Sequence, residues 1–427
     1  LDLGINNFNT RNIAQNNQLI KKHFSRIFTL KLILSLLYLL ILIFAGFVFD
    51  FSLKEIKWLV IIGFNQVLVG IILYLRSNLS ALLLFKRDGL LSVIDRLILI
   101  LFCGYFIWVK TTHTFITIDF FILSQTFAYL LTISIGLLSL VKFSKIPKIQ
   151  WDKLFFALII KKSIPYAILI FLMSVYYYSD VIMVEKIRSN IEVVSYAYGY
   201  RFFLAFNMLG FLFAGLLLPI FSKLIAEKRS VVSLSWLSFK LIYFFAFVSC
   251  ISIWTYKSEI LKWRYGITNS VLEHSSDTFG WLMVSFIAIS CNYIFGTLLT
   301  ANGSLKSLNI LAVFGIIINI FLNLFLIPES GSVGAAFASA FTQFFILIFQ
   351  FILCFKYFKF NYHIFSIIQI LSFTLFSILG AYNLNILSSI NWNYKLLITV
   401  LMGFIFGLIL KLINLKEFYQ LIKTSKS

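Results

Sequence analysis

Two ionisable residues stand inside apolar runs of this chain, and they define the chemistry it could perform. Asp180 lies in MSVYYYSDVIMVEKIRSN, and Arg201 lies well inside VVSYAYGYRFFLAFNMLGFLFAGLLLPIFSKLIAE. A charge at membrane depth is costly, so it faces a partner or a water-filled cavity. Both belong to a hairpin running from Pro165 to Glu227. Counted from the hairpin tip, Asp180 is about five residues deep and Arg201 about nine, or ~13 Å at 1.5 Å per residue. One reading is a buried ion pair joining two helices. The other is that Arg201 meets an anionic headgroup, because a guanidinium matches phosphate oxygens with paired donors in a way an ammonium does not. Asp180 would then orient Arg201, or take up a coupling proton or sodium ion.

Other polar residues share these runs. Asn207, with Gln66, Gln125, Asn292, Asn319 and Gln343, supplies intramembrane amides that join helices and can also contact a ligand. Tyr176, Tyr177, Tyr178, Tyr196, Tyr198 and Tyr200 crowd the hairpin tip, either as an interfacial aromatic belt or as a sugar-stacking surface. Lys161 and Lys162 read as snorkelling lysines, or as an attraction for phosphate at the cytoplasmic mouth.

Several kinds of chemistry have no signature. No GxxxxGK[ST] motif offers ATP hydrolysis, and no HExxH motif or CxxC pair offers a metal site. His23, His113, His274 and His363 are scattered at predicted loops. Cys103, Cys250, Cys291 and Cys354 fall in apolar runs and read as small core residues. No cofactor is called for, and no long outer loop is available to hold an enzymatic site.

The elements that must position these residues follow from composition. The chain has 427 residues, 61% of them hydrophobic and 12% charged, with a mean hydropathy of +0.96. A soluble domain carries about 25% charged residues, so lipid is the solvent for most of this surface. A membrane helix needs ~20 mostly apolar residues. That rule predicts twelve spans: 32–49, 58–84, 91–109, 117–141, 165–184, 193–222, 234–254, 278–300, 308–327, 333–355, 364–382 and 394–413. The net charge of +20 is explained by basic residues gathered in alternate connections, which places both ends in the cytoplasm and removes the need for nucleic acid.

An internal repeat organises the spans. Thr10–Gln15 echoes Ser222–Glu227 at an offset of 212 residues, and the same offset carries three early spans close to three later ones. The repeat divides the chain into an N-terminal lobe at 1–147, a C-terminal lobe at 148–355 and an extra helix pair with a cytoplasmic tail at 356–427. It also places one complete helix and most of a second upstream of Leu1, for fourteen in all. The amphipathic stretch Trp151–Lys162 is expected to lie in the cytoplasmic interface between the lobes. Pro165 is expected to open the next helix and Pro219 to bend the long one. The small residues of 331–340 mark close helix packing.

Several strings resemble a known group. They are Leu1–Arg11, the Pro165 to Asp180-Val181-Ile182-Met183 pattern, Ala301-Asn302-Gly303, Asn319 to Leu324, Ile327-Pro328 and Gly331 to Ala336. Together they resemble the lipid-linked oligosaccharide flippases (the Wzx type, which moves O-antigen repeat units) of the multidrug/oligosaccharidyl-lipid/polysaccharide exporter superfamily. The resemblance implies an all-α polytopic protein of two six-helix lobes in a V, with an extra C-terminal pair. It implies a cationic cavity open to one face at a time. The cargo would be an undecaprenyl-diphosphate-linked glycan, carried from the cytoplasmic to the periplasmic leaflet of the bacterial inner membrane. Arg201 is the cavity arginine it suggests, and Arg11 is a second, nearer the cytoplasmic edge. Two rivals are a cation-pumping multidrug exporter of the same superfamily and a membrane polysaccharide polymerase.

Overall fold

The computed structural model describes residues 2–108, 117–144, 146–358, 360, 364–386 and 390–413. His113, His363 and the tail after 413 lie outside the described residues. In hydrocarbon no water satisfies the backbone, so an open chain crosses only as helices. The described residues accordingly form α1 (Ile5–Gln15), α2 (Ile20–Val48), α3 (Leu53–Ala81), α4 (Phe85–Trp108), α5 (Ile118–Leu140), α6 (Lys153–Ile187), α7 (Asn190–Ala226), α8 (Val232–Tyr265), α9 (Asn269–Asn302), α10 (Leu305–Phe358), α11 (Ile364–Ile386) and α12 (Trp392–Ile409), with no strand among them. Eleven of these are long and apolar enough to cross a membrane.

The 54-residue α10 contains two of the expected spans. Asn323 and Ser339 both hydrogen-bond Asp180, yet in a straight helix they would be ~24 Å apart. The chain turns back at Gly331, whose φ of 56° and ψ of −132° are not helical. Gly315 in the first half packs against Ile346 in the second, and Gly334 against the carbonyl of Leu326. The small residues expected to mark close packing are therefore what lets the two halves touch. Ala335, Ala336 and Ala338 are fully buried there.

The helices group into two compact units, divided at Ile168 and Leu169 within α6. In the first, Asn9 of α1 donates to Ser77 and Asn78 of α3. Lys31, one of the basic residues that the charge pattern assigns to the cytoplasmic connections and helix ends, is only 4% exposed. It pairs with Asp2 at 2.7 Å and lies over the Tyr74 ring. At this depth an ammonium needs a carboxylate, which a distant stretch of chain supplies. Trp151–Lys162 does not end before Pro165. Lys153–Ile187 is one helix with the proline inside it, which lipid tolerates because neighbouring groups can satisfy the freed carbonyl.

In the second unit α9 is central, and much of its length is buried by α7, α8 and α10. Phe279, Met283 and Phe286 of α9 form the core with Val184, Tyr196 and Phe203. The offset of 212 residues carries Ile20, where α2 starts, to Val232, where α8 starts, and brings the starts of α3 and α4 within about eight residues of those of α9 and α10. Pro219 falls inside α7 as expected. His23 and His274, expected in loops, lie within α2 and α9.

Gly199 brings α7 against the backbone of α9, for a Cβ there would sit 2.8 Å from the Phe279 Cα. Gly215, further along α7, has nothing within 4 Å. Gly199→Leu should lower the thermal unfolding midpoint of the purified protein sharply, since overpacking costs about 1–3 kcal/mol. Gly215→Leu should leave it almost unchanged. Equal effects of the two would show that the α7–α9 contact does not hold the unit together.

Candidate functional site

The site forms in the second unit, around Asp180. Asp180 lies two turns from the end of α6 and is 2% exposed. Its carboxylate accepts from three side chains. Ser339 Oγ donates to Oδ2, Asn323 Nδ2 donates to Oδ1 at 2.7 Å, and Tyr196 OH donates to Oδ2 at 3.2 Å. These donors come from the second half of α10, the first half of α10, and α7. Around them lies a further ring of bonds. Tyr176 OH donates to Ser339 Oγ at 3.0 Å, Ser179 Oγ to Asn319 at 3.2 Å, and Asn323 Nδ2 reaches Asn319 Oδ1 at 3.3 Å.

The local sequence explains the convergence. Tyr176, Ser179 and Asp180 share one face of α6 by the i, i+3, i+4 rule, and Asn319 and Asn323 share one face of α10 by i, i+4. A cavity of about 10 Å³ lies beside the carboxylate, lined by Tyr176, Tyr177, Tyr196, Tyr200, Phe203, Ser285 and Ser339 among others. That is close to the smallest space able to hold one water. Asn323 Oδ1, on the amide that donates to Asp180, is buried without a hydrogen-bond partner. Two of the donors to Asp180 are hydroxyl oxygens, and Asn323, which donates through its amide nitrogen, also carries an amide oxygen. Such a set suits a hard cation and no soft metal. Among the described residues no cluster of three or more His, Cys, Asp or Glu is placed to hold a metal ion.

Arg201 stands apart from this cluster. It is exposed on α7, on the same stripe as Leu204, Ala205 and Met208. It lies eleven residues from Asn190, or ~16 Å along the helix. The ion pair with Asp180 does not form, because Tyr196, on the opposite side of α7, takes the carboxylate. Among the described residues Arg201 has neither an ion pair nor a hydrogen bond within the chain. Asn207 sits beside Tyr293, and its amide oxygen is buried without a partner. It does not join the Asp180 cluster. Arg11, in the first unit, donates to Tyr166 OH at 3.4 Å.

Sequence reasoning picked out Asp180 but not its partners Ser339 and Asn323. The only available signal was polarity inside an apolar span, and Asn319 carried the same signal. Tyr176 and Tyr196, expected in an aromatic belt or a sugar-stacking surface, are instead buried as hydrogen-bond donors. Tyr178, at 67% exposure, does face outward.

Taken together, the eleven membrane-length helices among the described residues, grouped in two units, and the buried polar centre define a polytopic helical membrane protein. The chain belongs to the polysaccharide biosynthesis protein family, whose profile matches residues 1–225. Its fold is similar to that of an outward-facing multidrug resistance MATE family transporter of the MOP superfamily, at 12% identity over 84% of each chain with a TM-score of 0.64. It is also similar to the lipid II flippase MurJ in an inward closed conformation, at 17% identity over 96% of this chain and 91% of that one, with a TM-score of 0.58. A MOP superfamily transporter from Pyrococcus furiosus Vc1 matches at 12% identity, 84% and 83% coverage and a TM-score of 0.64. No curated protein matches the sequence.

Removing a donor from a buried carboxylate costs about 1–3 kcal/mol, and more for the better bond. Ser339→Ala should therefore lower the unfolding midpoint more than Tyr196→Phe, because the Ser339 hydroxyl also accepts from Tyr176 and its loss breaks two bonds. Differential scanning fluorimetry of the two variants in detergent checks this, and the reverse order would show that Ser339 is not a principal donor.

Proposed function

We propose that this protein is a flippase carrying an undecaprenyl-diphosphate-linked oligosaccharide, an O-antigen or capsule repeat unit, from the cytoplasmic to the periplasmic leaflet by alternating access. Family membership supports a place in polysaccharide assembly. The observation that carries the reading is Arg201, a guanidinium on an apolar helix face with no acceptor from its own chain. Such a group needs an anionic partner from outside, and a diphosphate matches it. Arg11 and Asn207 we assign as secondary contacts to the same cargo.

The physical task is to shield polar groups. Each sugar hydroxyl stripped of water without a new partner costs about 2–7 kcal/mol, so a glycan does not cross hydrocarbon unaided. The polyprenyl tail can stay in lipid throughout. The protein would lie in the bacterial inner membrane with cytoplasmic termini, as the distribution of basic residues favours, and would act as a carrier with no covalent chemistry. A cation-pumping multidrug exporter shares the fold, but the exposed guanidinium of Arg201 would repel a cationic drug. Asp180 we assign to the coupling ion, a sodium ion or a proton. Its oxygen-rich surroundings and the unpartnered Asn323 Oδ1 support that assignment.

Arg201→Ala should reduce surface polysaccharide at least about tenfold in a host lacking its own copy, with membrane levels unchanged, and Arg201→Lys should fall between, since a lysine gives phosphate a point charge without the fork. Near-normal polysaccharide in the alanine variant would remove Arg201 from the site. In proteoliposomes, Asp180→Asn should abolish the dependence of transport on a sodium or proton gradient. Persistence of that dependence would place the ion elsewhere.

A further inference from the structure

Asp180 gathers Asn323 and Ser339 only while α10 is folded back on itself. The two residues sit eight positions before and eight after Gly331, so small changes at the reversal are carried directly to their spacing. Two side chains hold it. Arg188, just past the end of α6, donates Nε to the Ile327 carbonyl at 3.1 Å and Nη2 to the carbonyls of Pro328 and Glu329. These carbonyls close the first half of α10. Glu192, in the first turn of α7, accepts the Ser332 amide on Oε2 at 2.9 Å, where the second half begins. Positive charge thus meets the carbonyl end of one helix and negative charge the amide end of the next, which is the favourable polarity at both.

The fit is close at Gly331. A Cβ there would lie 2.5 Å from Glu192 Oε2, so the carboxylate occupies the space the absent side chain leaves. With φ at +56° that position also favours glycine. His274 of α9 lies 2.7 Å from the same Glu192 oxygen through Nε2, and Thr278 meets Ser332 Oγ at 2.9 Å. The reversal is therefore anchored from α6, α7 and α9 together.

We infer that Arg188 and Glu192 are positioning residues for the Asp180 ion site. They set the bend of α10 and, through it, the separation of Asn323 and Ser339 about the carboxylate. This rests on Asp180 holding a sodium ion, the first of the two coupling ions proposed above, and the experiment separates the two claims. The melting temperature of the purified full chain is followed against sodium chloride, with choline chloride holding the ionic strength constant. An ion bound only by the folded state raises it with a measurable midpoint. The wild type should show that midpoint, and Asp180→Asn should not.

Arg188→Ala and Glu192→Ala should raise the half-saturating sodium concentration about tenfold, the equivalent of losing one charge-assisted bond. Arg188→Lys and Glu192→Gln should recover part of the loss, since one keeps a donor and the other an acceptor. They carry the same comparison if the alanine variants do not fold. Thr374→Val removes the 2.7 Å bond between Thr374 and Tyr243, on α11 and α8, and should lower the melting temperature without moving the sodium midpoint. A flat wild type, or an Asp180→Asn variant that still responds, removes the sodium-site reading and this inference with it. A midpoint that depends on Asp180 but is unmoved in all the Arg188 and Glu192 variants, or is moved equally by Thr374→Val, overturns the positioning role alone.

Discussion

The second unit of this protein depends on a carboxylate that has left water. Asp180 reaches 2% exposure, and at that depth each missing hydrogen bond is a real loss, because no solvent stands ready to replace it. The chain meets the requirement by bringing three donors from separate helical segments. One consequence is architectural. α6, α7 and both halves of α10 cannot slide far past one another without stripping the carboxylate. Hydrophobic burial offers little such discrimination between helices in lipid, where the surroundings are as apolar as the core.

The same constraint shapes the first unit on a smaller scale. Lys31 is buried against Asp2 and the Tyr74 ring, and Asn9 is tied to Ser77 and Asn78. Each of these polar side chains finds a partner inside its own unit. Arg201 differs from them, an exposed guanidinium on an apolar stripe of α7. The fold provides for Lys31 and Asp180 and leaves the Arg201 side chain without an ion pair or hydrogen bond among the described residues, and that contrast is why we propose it as the contact for an outside partner.

α10 shows how local strain and distant packing cooperate. Pro328 and Gly331 mark a break that periodicity alone would not locate, since both sides remain helical and apolar. What turns a break into a sharp reversal is the small-residue face after Gly331, which admits the Leu326 carbonyl, together with charged caps from Arg188 and Glu192. The gap between 327 and 333 in the predicted spans falls at this turn.

The sequence by itself determined the class of architecture. Runs of about twenty apolar residues must become helices in lipid, and two charges inside such runs must be functional or paired. That reasoning needs only composition, local spacing and the repeat, and it reached the spans, Asp180 and Arg201. Only the tertiary structure decided which residues meet. The partners of Asp180 are 143 and 159 positions away, and the choice of Tyr196 over Arg201 follows from which face of α7 turns toward α6. Tyr176 and Lys31 were misread for the same reason. Whether a polar side chain sits at an interface or in a core depends on which neighbour comes to satisfy it, and no local pattern records that.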